Sequence, residues 1–95
     1  MKSEQWYELD NDNFFSFEDI PEEERLSPFK VLCGLMYLAK LCKPNKKYPY
    51  LISGAGHDVI YVDFGIDDLT EEQSIYLLRC GFHYSDESQS LARFV

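Results

Sequence analysis

His57 and Asp58 are the pair in this chain best suited to chemistry. A histidine beside a carboxylate, with Gly54 and Gly56 just upstream, could act as a general base or hold a metal ion, because imidazole titrates near neutral pH and a carboxylate can orient it. The glycines would let a substrate approach the backbone. His83, next to Tyr84 and near Asp86 and Glu87, could join such a site together with Asp63 or a thiol. The competing role is structural: Asp58 bonds turn amides while His57 faces water or bonds a tyrosine. Neither HExxH nor a zinc-finger spacing occurs, so no metal and no other cofactor is expected.

Nucleophile motifs are missing. There is no GxSxG, and Cys33 and Cys42 fall inside an apolar helical run, where thiols are inert. Cys80 lies near a predicted helix C-terminus, the wrong end of the dipole for a thiolate. The three cysteines form no CxxC pair, which fits reduced core thiols in a cytosolic protein. Ser53-Gly54-Ala55-Gly56 lacks the Lys-Ser/Thr of a phosphate loop and precedes a strand. The acids from Asp67 to Glu72 do not follow the EF-hand pattern; helix capping explains them.

Charge is the more informative property. The chain has 95 residues and a net charge of −8. Residues 1–25 carry nine acids against two bases, residues 26–50 five lysines and no acid, and residues 51–95 eight acids against two arginines. Most of such a surface repels nucleic acid and anionic membrane and attracts a basic partner. Lys40, Lys43, Lys46 and Lys47, with Tyr48 and Tyr50 adjacent, resemble a small footprint for single-stranded nucleic acid. Pairing with the acidic N-terminal block is the expected use of that cluster.

The elements that must position these groups follow from periodicity and capping. The longest apolar run, Ser27 to Lys43, reads as one helix: Ser27 as N-cap, Pro28 at the first helical position, Pro44 beyond the last turn. On a 100° wheel Val31, Leu32, Leu35, Met36, Leu38, Ala39 and Cys42 share one face, opposite Lys30, Gly34, Tyr37 and Lys40. Gly34 in a helix interior costs about 1 kcal/mol relative to Ala, which close approach of another element would explain.

Residues 1–26 interleave acids with Trp6, Tyr7, Leu9 and Phe14 to Phe17 and read as a strand or irregular wrap over the core. Pro21 with Glu22, Glu23 and Glu24 suits the first turn of a short helix. Tyr48–Ile52 and Val59–Phe64 are expected as strands of an antiparallel hairpin, joined by the link Ser53–Asp58. Thr70 and Gln73 form a capping box that opens a second helix, Glu71–Cys80, with Gly81 as its C′ residue. Two short strands around Ser85–Ser88 complete the chain.

The order from Gly56-His57-Asp58 through Gly81-Phe82 and Asp86-Glu87 to Phe94 resembles small uncharacterised acidic proteins of bacteria and their phages. In these a hairpin, a helix, a Gly-aromatic turn and a final aromatic strand follow one another. The resemblance spans residues 54–95; the Trp that relatives carry near Leu91 is absent here. It implies a phage or mobile-element origin and no particular activity.

Together these readings predict a single α+β domain over residues 1–95. An acidic, aromatic-rich segment (1–26) wraps an α-β-β-α-β core (27–95). Three or four antiparallel strands pack on one central helix, with a second, shorter helix beside it. No apolar run reaches the length of a membrane span and no secretory h-region is present, so the expected location is the cytoplasm, a host's if phage-encoded.

The expected function is non-enzymatic. An acidic protein presses carboxylates into a partner's basic, nucleic-acid-binding surface, as an anti-CRISPR-like, nucleic-acid-mimicking inhibitor of host defence would. It touches neither nucleic acid nor membrane directly. The candidate contact residues are Glu8, Asp10, Asp12, Glu22, Glu23, Glu24, Asp67, Asp68, Glu71 and Glu72, with Trp6 or Tyr7 as an aromatic anchor. An immunity protein plugging a nuclease toxin would use similar acids. An enzyme centred on His57 and Asp58 is the reading from a different class.

Overall fold

A computed structural model describes residues 2–12, 15–41, 51–56, 58–62, 69–85, 87 and 89–94. Among the described residues three α-helices (α1, Ser3–Asp12; α2, Lys30–Leu41; α3, Glu71–Arg79) combine with four strands (β1, Ile52–Gly56; β2, Val59–Val62; β3, Phe82–Ser85; β4, Ser90–Phe94). The strands form one antiparallel sheet in the order β1-β2-β4-β3, so the fold is α+β as the sequence predicts.

The N-terminal segment departs from expectation. Residues 3–12 form a helix rather than a strand or irregular wrap. Trp6 is completely buried and Tyr7 and Leu9 are half-buried, while Glu4, Gln5, Glu8, Asp10 and Asn11 face water. Lys2 donates its amide to the Gln5 side chain (3.0 Å), satisfying one orphan group of the first turn. Asp10, Asn11 and Asp12 are weak helix formers, so packing of the Trp6 face, and not propensity, holds this helix.

The helix in the apolar run starts later and is rotated relative to the predicted wheel. Ser27 Oγ accepts the Phe29 amide (3.1 Å), and the first helical bond runs from Cys33 N–H to the Phe29 carbonyl (2.8 Å). Cys33, Gly34 and Leu38 are buried, whereas Leu32 and Met36, assigned to the inner face, are 45% and 42% exposed. Gly34 accounts for the rotation: a Cβ there would run into the Phe82 ring and lie 3.0 Å from Cys80 Cβ. The one glycine of α2 is turned toward the Phe82 ring.

The shorter helix α3 is the hub, packing against β3, α1, α2 and the 3₁₀ turn Phe17–Asp19. Its capping box is formed as predicted: Gln73 N–H donates to Thr70 Oγ1 (3.1 Å) and Thr70 N–H to Gln73 Oε1 (3.0 Å). Gly81 ends it with φ +91°, a conformation costly for other residues. Leu77 and Leu78 enter a core shared with Trp6, Ile20, Leu38, Val62, Phe82 and Leu91. Complete burial of each large aliphatic member contributes about 1.5–3 kcal/mol.

The hairpin is shifted along the chain. β1 runs through the predicted link, with Gly54, Ala55 and Gly56 opposite Tyr61, Ile60 and Val59, and Asp58 takes φ 66° in the turn. A two-residue connection with a left-handed residue matches the strand twist and sets this register. The rest of the expected first strand, Tyr48–Tyr50, lies outside the described residues. The two short strands expected around Ser85–Ser88 form a hairpin, β3–β4, with Phe82 opposite Arg93 and Ser85 opposite Ser90.

Candidate functional site

The acids follow the chain through a 3₁₀ turn, Glu22–Glu24, that Pro21 starts and Arg25 ties down. Arg25 Nε donates to the Ile20 carbonyl (2.9 Å) and Nη2 to the Glu18 carbonyl (3.3 Å), and the guanidinium lies 4.9 Å from the Phe17 ring centre. One cation thus holds the whole 17–25 segment in shape, partly by stacking on an aromatic face. Tyr76 of α3 reaches across and donates its hydroxyl to the Glu24 carbonyl (2.8 Å). That bond fixes the acidic turn against the start of α3, where Glu71 and Glu72 project into solvent.

The result is an open groove of about 1090 Å³ between the acidic turn, α2 and α3. Glu23 and Glu24 line it from one side and Glu71 and Glu72 from the other, with Lys40 and Arg79 also present. Tyr37 and Tyr76 both line it and stack on each other, ring centres 3.9 Å apart and planes at 16°. Four carboxylates against two cations leave the groove negative, above an aromatic surface. Burial and the nearby Glu72 carboxylate both raise the Tyr37 hydroxyl above its ordinary value, so it stays neutral at pH 7.

A buried thiol–phenol chain lies behind this surface. Cys33 Sγ is 3.2 Å from Tyr76 Oη. Since the tyrosine commits its proton to Glu24, the thiol is the donor in that contact. Burial raises Tyr76 far above its usual range and pushes Cys80 up to about 12, in both cases with a further contribution from Cys33. Cys33 and Cys80 are free thiols buried in the core, and Cys42 lies outside the described residues.

The expected contact residues therefore divide. Glu23, Glu24, Glu71 and Glu72 converge on the groove, and Glu22 is exposed beside them. Glu8 and Asp10 are exposed on α1; Asp12 occupies the last turn of that helix. Tyr7 is half-buried, edge-on to Tyr84 at 6.0 Å. Trp6 is corrected: its 0% exposure makes it a core residue, unable to anchor a partner. Its indole N–H finds no hydrogen-bond partner among the described residues.

Asp67, Asp68 and His57 lie outside the described residues; Asp58 is exposed in the hairpin turn. Among the described residues no group of three or more His, Cys, Asp and Glu is placed to hold a metal, and no helix is long and apolar enough to cross a membrane. Sequence reasoning missed Tyr37 and Tyr76. Tyr37 fell on the wheel's polar face, and nothing local links it to a tyrosine 39 positions later. Comparisons of the chain with known protein families, curated proteins and solved structures found no match.

Proposed function

We propose that this protein is a non-enzymatic binding protein whose acidic groove engages a basic, nucleic-acid-binding surface of another protein and blocks it. One observation carries the reading. Two acidic segments some fifty residues apart in sequence, Glu23–Glu24 and Glu71–Glu72, line one open groove, and Tyr37 and Tyr76 stack within it. Carboxylates so grouped offer lysine and arginine side chains the charge that a phosphate backbone would. The accessible part of these half-buried tyrosines gives a guanidinium an aromatic surface to pack on. A net charge of −8 adds long-range steering toward a basic partner. The resemblance to small phage and bacterial proteins extends the proposal to an anti-defence role in the host cytoplasm.

The test uses an arginine- and lysine-rich peptide as the basic probe, titrated against the full chain by calorimetry at rising salt. Binding is expected to weaken as salt rises and to fall at least about tenfold in E23Q/E24Q/E71Q/E72Q, the loss of several charge-assisted contacts. The variant's thermal unfolding should be close to that of the parent. Binding indifferent to both salt and the four substitutions would sink the proposal.

A further inference from the structure

A second cleft, of about 500 Å³, lies between α1 and the edge strand β3 and shares no lining residue with the acidic groove. Its inner lining includes the buried Leu78 and Phe82. Two aromatic pairs border it: Tyr7 meets Tyr84 edge to face at 6.0 Å and 72°, and His83 stacks on Phe94 at 4.9 Å and 18°. Exposed Asp10 lies at its mouth, and neither lysine nor arginine lines it among the described residues. Burial holds His83 below its ordinary value against the opposing pull of Asp10, so the imidazole contributes no positive charge at pH 7.

We propose that this cleft binds a quaternary ammonium group, as carried by choline or by a trimethylated lysine side chain. The chemistry of the lining selects that class. Aromatic faces attract a cation through their quadrupole, and a nearby carboxylate adds direct attraction. A quaternary nitrogen carries no N–H, so it needs no hydrogen-bond acceptors from an aromatic and aliphatic wall. Anions are disfavoured by Asp10 and by the charge of the whole chain. The volume falls within the usual range for small-ligand sites.

The test is amide-resolved NMR of the full chain titrated with choline and, separately, with a short peptide bearing one trimethyl-lysine. Shifts are expected in residues 7–11 and 81–84 with at least one of the two, and the arm that binds more tightly identifies the source of the group. The neutral isostere 3,3-dimethylbutanol should bind roughly fivefold or more weakly, the factor expected of a cation–π contribution. Asp10→Asn and Phe94→Ala change exposed side chains, so both variants should fold, and each should weaken binding several-fold. The proposal is overturned if neither probe shifts these amides, if the isostere binds as well as the cation, or if neither substitution weakens binding.

Discussion

The ring of Phe82 occupies the space where a side chain at Gly34 would begin, with Cδ2 at 2.9 Å from the ideal Cβ position and Cys80 Cβ at 3.0 Å. This contact joins α2 to the turn between α3 and β3 and fixes the rotation of α2.

Gly34→Ala should therefore destabilise the protein although alanine is the better helix former. The propensity gain is about 1 kcal/mol, whereas pushing aside a fully buried ring costs typically 1–3 kcal/mol or more. Urea unfolding of the variant should show a lower midpoint. A higher midpoint would mean that Phe82 can move at little cost.

Thr70→Ala should cost about 1 kcal/mol, because it frees the Gln73 amide at the start of the hub helix. Thr70→Ser, which keeps the acceptor, should recover most of that loss in the same assay.

Tyr76→Phe removes the hydrogen bond to the Glu24 carbonyl while keeping a ring to stack on Tyr37. The expected loss is about 1 kcal/mol of stability, with faster amide exchange around residues 22–25. If the acidic turn is needed in place, affinity for the basic probe falls as well. Tyr37→Phe should leave stability nearly unchanged.

Stability should decline in alkali. Cys80 is pushed up to about 12 in the folded chain, and an unfolded thiol titrates near 9. Between those values the unfolded state loses a proton that the native state keeps, so the contribution is intact below pH 9 and is lost as pH rises toward 12. Tyr76, also raised by burial, acts in the same direction, and Cys33, held below its usual value by hydrogen bonds despite its burial, offsets part of the decline. Cys80→Ala should flatten the slope of unfolding midpoint against pH above 9. Native Cys80 should resist alkylation at pH 8 until denaturant is added.

Trp6→Ala should cost about 3–5 kcal/mol, as expected for emptying a core site that large. Trp6→Phe retains much of the packing and removes the buried indole N–H that lacks a partner among the described residues, so its cost should be well under half of that. Chemical denaturation of both variants checks the ratio.

Local chemistry was legible in the residues themselves. Thr70 with Gln73 specified a helix start, Gly81 its end, and Pro21 with three glutamates a short turn, because capping and turn preferences act over three or four residues. Alternation in Val59–Val62 and the Gly-bearing link specified an antiparallel hairpin, though not its register. The acidic character of the surface was a matter of composition.

What the sequence could not decide depended on contacts between distant residues. The rotation of α2 was set by Phe82 pressing on Gly34, and a wheel drawn on one helix has no access to a ring 48 positions away. The N-terminal helix exists because Trp6 finds a core to enter, against the weak propensity of Asp10 to Asp12. The groove joins Glu23 and Glu24 to Glu71 and Glu72 across the fold, and the bond from Tyr76 to the Glu24 carbonyl ties the two segments together. Charge was written in the chain; its focus on one surface came from packing, since proximity across fifty residues is a property of the folded backbone alone.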